Sequence, residues 1–470
     1  MPTTHLGALC MQRCSADTDC RAGEGYVCDA RHHACVMPNV AVITPKTCPA
    51  PTATRGNAAG RNTRLSAALP GGHRAPSAVL GPTGDLVAMF VTDRGVLARS
   101  TLTAAKKTAP SSTITDQVIG TSSDQRGEPS LARDTKGILY ATWLDASAED
   151  RTTRILLARS RDGGATWSGP DRADDPDDCA ARTCLGAPIV VVGPDRHARG
   201  RDIVYILYAA RDGIRVRASR DEGATFRAAA TALPGTVANA HVAADGSLHV
   251  IAIDSATAPT TLVPPGPATS GPAIMGAFGS GNHRIVYAVS ADMGRTFSPP
   301  QRLDRRDELL PAYFARPQIV VDSRRRQVYA LYVRGGHDGV WDLMLMASKD
   351  AGKTWRRTRI GDDCAVHAVP QLALDATTGT VHIAWFDNRG GGRFARASCS
   401  VGASKCQQLG AISEAPFALS FERFTPAWIG EHAALVVDDK RRMLHAVWAQ
   451  PVVEGAGVAT RIMHAVATLR

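Results

Sequence analysis

The chain has 470 residues, with 54 Lys or Arg against 44 Asp or Glu and a formal charge of +10 at neutral pH. It holds no run of about 18 apolar residues, which excludes a spanning helix. Long helical periodicity is also missing, which excludes a helical bundle. Basic residues are scattered, with short clusters at Arg324–Arg326 and Lys440–Arg442. They form no stripe interleaved with aromatics, which argues against nucleic acid, while the excess charge suits an anionic partner such as an acidic glycan or a membrane surface, or else reflects a high-GC genome in which Arg replaces Lys.

Residues 1–48 hold six of the 11 cysteines: Cys10, Cys14, Cys20, Cys28, Cys35 and Cys48. Arg, Asp and Gly separate them and offer little for a core, so this reads as a disulfide module. Six cysteines allow 15 pairings, and the spacing does not choose among them. Zinc is the alternative, although the paired C-x-x-C spacing is missing. The string CMQRCSADTDCRAGEGYVCDARHHAC resembles small Cys-rich modules on surface proteins of predatory soil bacteria such as the myxobacteria. The opening MPTTHLGALC lacks the basic start and apolar core of a signal peptide, so a truncated or misplaced start is expected.

Residues 49–72 read as a flexible linker with a possible strand of its own. From residue 73 to 470 one pattern recurs: a Pro, an apolar run, a turn, a second apolar run. It appears as RAPSAVLGPTGDLVAMF from Arg74, EPSLARDTKGILYATW from Glu128 and APIVVV from Ala187. Further copies are HVAADGSLHVIAI from His241, RPQIVVDSRRRQVYALY from Arg316, VPQLALDATTGTVHIAW from Val369 and EHAALVVDDKRRMLHAVWA from Glu431. The runs alternate and carry β-branched and aromatic residues, so they are predicted strands.

Four of these units lead to an octapeptide: SRDGGATW from Ser160, SRDEGATF from Ser219, SADMGRTF from Ser290 and SKDAGKTW from Ser348. A fifth, SCSVGASK from Ser398, has Ser400 in place of the Asp, and Cys399 with Cys406 can bridge around it. Cys179 with Cys184 is a second candidate for a local bridge, and the odd total leaves one thiol over or a partner lost upstream. All this points to an oxidising, extracellular or cell-surface location. The spacing suits a hairpin turn in which Asp162, Asp221, Asp292 and Asp350 accept turn N–H groups and the Gly takes a conformation other residues resist. The expected role of these aspartates is structural. The octapeptide resembles the Asp box, or BNR repeat, of the sialidase superfamily.

A repeat of this size, 50 to 71 residues between key positions, signals a repeat architecture. The expected fold is all-β: a β-propeller of four-stranded blades, with seven blades favoured. Six is the alternative, because sialidases have six. The last unit lacks an outer strand, so NVAVITP from Asn39 or TRLSAAL from Thr63 is expected to close the ring and remove sheet edges.

A ligand site is expected near the axis, at the end opposite the octapeptide turns. Strand starts there carry Arg74, Glu128, Asn239, His241, Arg316, Glu431 and His432, and loops add Asp387 and Arg389. Arginines ringed by carboxylates suit an acidic or hydroxylated sugar. A set of solvated loop charges is the plainer reading. At the same end Asp174, Asp175, Asp177 and Asp178 offer oxygens for Ca²⁺, although EF-type spacing is absent and an ordinary loop is the alternative; no other cofactor is expected.

The sialidase resemblance implies three arginines, a Tyr/Glu nucleophile pair and an Asp acid. Arg74 and Pro76 match the family's FRIP opening, Arg316 fits a second arginine, and Asp124 holds the approximate place of the acid. Where the nucleophilic Tyr belongs, PAWIGEHAAL offers Glu431 without a tyrosine. Tyr313, the tyrosine outside strands and module, comes earlier. The expected function is therefore recognition of a glycan or other cell-surface ligand by a monomer. A divergent exo-glycosidase or a scaffold in a surface complex are the alternatives.

Overall fold

The computed structural model describes residues 3–6, 9–12, 15–19, 27–29, 34–36, 62–66, 71–92, 96–102, 114–122, 127–146, 153–179, 185–255, 283–306, 308, 310–311, 313–335, 341–361, 365–389, 391–403, 405–419, 428–455 and 457–469. Seven antiparallel four-stranded sheets make a seven-bladed β-propeller, so six blades is ruled out. Inner to outer, blade 1 runs His73–Leu80, Leu86–Thr92, Val96–Leu102 and Ile114–Thr121. Blade 2 runs Ser130–Arg133, Leu139–Ala146, Thr153–Ser160 and Asp171–Arg172. Blade 3 holds Gly186–Pro194, Asp202–Ala210, Gly213–Ser219 and Ala230–Leu233. Blade 4 holds Val237–Val242, Leu248–Ser255, His283–Ser290 and Gln301–Arg302. Blade 5 follows with Gln318–Asp322, Gln327–Gly335, Trp341–Ser348 and Arg356–Arg359. Blade 6 comprises His367–Asp375, Thr380–Asp387, Arg393–Cys399 and Cys406–Ala411.

Blade 7 takes three strands from the C-terminal side, Ala434–Asp438, Met443–Glu454 and Gly457–Thr468, and its fourth, Thr63–Arg64, from the N-terminal side. Arg64 pairs with Met463 and Thr63 with His464. Asn62 fastens the seam to blade 6: its amide donates to Ile412 O and its Oδ1 accepts from Glu414 N. TRLSAAL is thus the closing segment; the competing NVAVITP lies outside the described residues.

Middle strands are buried along nearly their whole length, as in LVAMFVT at Leu86–Thr92, because each blade packs against a neighbour on both faces. The core is consequently a series of interblade layers. One joins blades 3 and 4 through Tyr205, Val216, Leu248 and Val250, and the largest links blades 5, 6, 7 and 1.

Every octapeptide turn carries one hydrogen-bond set. Ser160 Oγ donates to Asp162 Oδ1 and accepts from Gly164 N; Asp162 Oδ1 also accepts from Thr166 N, and Oδ2 from the Thr166 hydroxyl. The set recurs at Asp221, Asp292 and Asp350. Burial alone would raise the Asp162, Asp221 and Asp292 carboxyls, but these donors hold each at about 2. The turn then leans on the preceding blade. Gly352 has φ +90° and sits so close to Tyr287 of blade 4 that a Cβ would come 2.4 Å from its hydroxyl. In blade 6 the disulfide Cys399–Cys406 holds the variant turn, and Gly402 N donates to Gln327 Oε1 and Tyr329 OH of blade 5. The predicted bridge is present.

In the N-terminal segment, Thr3–Leu6 pairs with Leu9–Gln12 and Val27–Asp29 with Ala34–Val36. Cys28 is disulfide-bonded. Cys14, Cys20, Cys48, Cys184 and Cys364 lie outside the described residues. Among the described residues no helix is long and apolar enough to cross a membrane.

Candidate functional site

At the end away from the octapeptide turns, the inner strands begin with a repeated distortion. Ala75, Glu128, Ala187 and Val369 have φ of 52°, 43°, 49° and 51°, and each precedes a proline. Proline donates no N–H and restricts the residue before it, so the ladder breaks there. Register shifts at Arg74/Ser77, Gly186/Ile189 and Ala368/Gln371 mark the bulges. Non-glycine residues at positive φ cost about 1–3 kcal/mol each. Bonds to neighbouring blades offset that cost: Ala75 N donates to Ile429 O, Val369 N to Phe314 O, and Ala187 N to the Glu128 carboxylate.

The residue after each of these prolines faces the axis, Ile189 among them, and Gln318 after Pro317 does so without the bulge. Ser77, Ser130, Gln318 and Gln371 line an axial cavity of about 110 Å³ together with Asn239, Arg316, Glu431 and His432. Ser77 Oγ accepts from Leu131 N and Ser130 Oγ from Val190 N, while Asn239 Nδ2 donates to Gln318 Oε1. Blades 1, 2 and 3 are thereby joined to one another, and blade 4 to blade 5, through polar side chains at the rim of the cavity. The proline repeat was legible in the sequence; the polar residue after it was the signal for this girdle.

Arg316 is the charge centre. It is 9% exposed, and its Nη1 lies 3.4 Å from Ala238 O. Burial pulls its pKa down while Glu128 and Glu431 pull it up. His432 is also 9% exposed, and among the described residues its Nε2 has no hydrogen-bond partner. Burial, then the Arg316 charge, push its pKa well below the ordinary histidine value, so the ring is neutral. The cavity thus presents a guanidinium, a carboxylate, a neutral imidazole and three amides. That set can grip a carboxylate and the hydroxyls beside it.

Glu128, Arg316, Glu431 and His432 are therefore brought together; the other expected residues lie elsewhere. Arg74 is buried in the wall between blades 1 and 7, its guanidinium 4.8 Å from the Trp428 ring and its Nη2 donating to Thr92 O. Tyr313 is partly buried against the core beside Phe314. Asp387 and Arg389 pair with each other, and Asp387 lies 3.3 Å from His367 Nε2 in fully buried surroundings. Burial would raise Asp387, but His367 and Arg389 hold it well below the usual range. His241 belongs to the opposite end of the axis, where it lines another cavity with Arg133 and Arg324. Asp124 lies outside the described residues. Asp174 accepts from Ile155 N and Arg172, Asp175 from Ala229 N, and Asp178 from Tyr208 OH and Arg215. These three carboxylates tie the loop to its blades, and no group of three or more metal-ligating residues occurs among the described residues.

No family model matches the chain, and no curated protein does. Solved structures share the propeller. A polysaccharide lyase of family PL25, an ulvan lyase, superposes with a TM-score of 0.52 at 10% identity, covering 86% of this chain and 95% of that one. A GH93 α-L-arabinofuranosidase of Fusarium graminearum gives 0.45 at 16% identity, over 73% and 92%. A sialidase from Streptococcus pneumoniae gives 0.40 at 9%, over 87% and 94%. At these identities the likeness is one of fold, and fold does not carry function with it.

Proposed function

We propose that this propeller recognises the terminal sugar of a surface glycan at the Arg316 end of its axis, without turnover. The observation that supports the reading is the buried Arg316 guanidinium facing a small polar cavity beside Glu431 and His432. A cavity of about 110 Å³ admits only the tip of a ligand, far below the roughly 300–1,000 Å³ of pockets that enclose one. Recognition of an end group follows, with Arg316 pairing a carboxylate and Glu431, Asn239 and Gln371 receiving hydroxyls. Among the described residues no tyrosine lines the cavity, which favours binding over sialidase-type catalysis. The disulfide at Cys399–Cys406 favours an extracellular or cell-surface setting. The Asp-box resemblance and the ulvan lyase, itself described with an acidic saccharide bound, agree with a carbohydrate ligand.

A second reading, a divergent exo-glycosidase, is favoured by one observation: Glu128 and Glu431 both act on Arg316, and two carboxylates at one centre are the usual equipment for glycoside hydrolysis. The test has two arms. Saturation-transfer NMR with an α-methyl sialoside and a panel of uronic acids should show a signal in the wild type that Arg316→Gln removes. A fluorogenic α-sialoside should give no turnover. Release of the fluorophore that Glu431→Gln and Arg316→Gln each abolish would replace the binding reading with the enzymatic one. A folded wild type that binds none of the panel would end the acidic-sugar reading.

A further inference from the structure

The octapeptide end carries its own concavity. A cavity of about 440 Å³ opens at the axial mouth, bordered by Arg133, His241 and Arg324. A larger one, about 820 Å³, lies in the cleft between blades 4 and 5, bordered by Ser247, His249, Tyr287, Gln301, Arg326 and Lys353. Ala244, Val321 and Ser323 border both, so the two form one groove from the axis to the rim. Its combined size falls within or above the range of ligand sites, unlike the axial cavity at the other end.

The floor of the cleft is neutral. His249 Nδ1 lies 2.7 Å from Tyr287 OH and its Nε2 3.1 Å from Ser247 Oγ. The acidic residues along the groove are consumed locally. Asp134 accepts from Ile138 N and Tyr140 OH, Asp202 from Thr135, Asp245 from Ser247, and Asp322 from Arg325. The cations are not. Arg324, Arg326 and Lys353 are exposed, and none of their side chains makes a hydrogen bond or ion pair among the described residues. The Arg324 charge acts on Asp439, whose carboxyl is nonetheless raised, chiefly by burial. Positive charge is thus strung along a groove whose negative charge is neutralised from within, and such a field draws in an anion.

We propose that this groove binds an extended acidic polysaccharide, running from the axial mouth across Arg324 and Arg326 to Lys353. The chemistry selects a saccharide. Ser298 and Ser323 hydroxyl oxygens accept from Val289 N and Ala244 N, which leaves their O–H groups to donate to sugar hydroxyls. Gln301 adds an amide. Among the described residues no exposed aromatic ring borders the groove for base stacking. This site is independent of Arg316 and of the end-group reading above.

The experiment is calorimetric titration of the full chain with a galacturonate hexasaccharide at low and at near-physiological salt. The wild type should bind, more weakly as salt rises. The triple variant Arg324→Glu, Arg326→Glu, Lys353→Glu should lose at least about tenfold in affinity, equivalent to roughly 1.4 kcal/mol. Neutral maltohexaose should not bind. Arg316→Gln should leave the affinity unchanged, which separates this site from the axial one. A control triple at exposed Arg211, Arg306 and Arg356, changed to Glu, should also retain it. Equal loss in both triples would reduce the effect to net charge and overturn the proposal. So would unaltered binding by the groove triple, no binding at low salt, or equal binding of a glutamate hexapeptide.

Discussion

The serine of each octapeptide turn is used twice, which makes it more sensitive than the aspartate that defines the motif. Ser290 is fully buried; it donates to Asp292 and accepts from the buried Gly294 N–H. Ser290→Ala leaves that N–H without a partner, and an orphaned buried donor costs about 1–3 kcal/mol. The denaturation midpoint should fall with an unchanged slope, because the surface exposed on unfolding is the same. An unaltered midpoint would mean that the turn satisfies Gly294 some other way. The aspartate contacts close within four residues, so their structural role was legible from the motif alone. The axial residues were harder. Arg316, Glu431 and His432 were found as strand starts, but His241 was placed at the wrong end. It is the fifth residue of the six-residue strand Val237–Val242, and alternation reveals which face a side chain shares without revealing which end of the strand it reaches. Arg74 matched a motif, yet its environment, the Trp428 ring and the Thr92 carbonyl, comes from residues close in space and separated in sequence.

Outer strands end in a second repeat, one whose meaning appears only across strands. Asp174 accepts from Ile155 N, Asp304 from Ile285 N, Ser413 from Phe394 N and Ser66 from Ile462 N. In each case the backbone N–H just before that polar residue donates to the carbonyl of the same partner. The triplets Arg172-Ala173-Asp174, Arg302-Leu303-Asp304 and Arg64-Leu65-Ser66 are thus one device. Its presence at Ser66, near the opposite end of the chain from blade 7, shows that the closing strand is built like any other outer strand. Ser66 and Ile462 are both fully buried, so Ser66→Ala should cost about 1–3 kcal/mol. Hydrogen exchange should locate the damage: the Ile462 amide should exchange faster while blade 3 amides keep their protection. Uniform acceleration, or none, would contradict a local seam. The disulfide of blade 6 closes a short loop, and opening it by paired Cys→Ser substitution at Cys399 and Cys406 should cost about 2–3 kcal/mol. The blade number was legible because each unit repeats a turn signal. The choice of closing segment was not, since a two-residue strand has no periodicity to read.

For the molecule as a whole, interblade packing and the axial cavities hold histidines largely out of water. His249, His382, His432, His445 and His464 are each less than 10% exposed, and His241 is partly buried. Burial lowers all six, to about 4 for His241, His249 and His382 and about 3 for His464, with His445 lowered and His432 well below normal. His445 Nδ1 lies 3.0 Å from His464 Nε2 with the rings stacked, so charging both is opposed twice over. The sign follows from proton linkage. Below about pH 6.5 the unfolded chain protonates these histidines and the folded chain does not. The unfolded state then binds more protons, and stability falls as pH falls, until the folded-state values near 4 are reached. The ceiling is roughly 1.4 kcal/mol per pH unit for each such group, so even half of the six would remove several kcal/mol by about pH 5. Two groups oppose this: Asp342 and Asp439 are raised, chiefly by burial, and they contribute stability that grows as the pH drops. The depressed Asp162, Asp221 and Asp292 carboxyls enter only below about pH 4, outside the window. Guanidinium midpoints at pH 7.5, 6 and 5 and constant ionic strength should therefore decline step by step, and His445→Gln should flatten the slope. A constant midpoint across that range would mean that the six rings titrate in the folded protein as they do in water, and that the interblade layers are open to solvent.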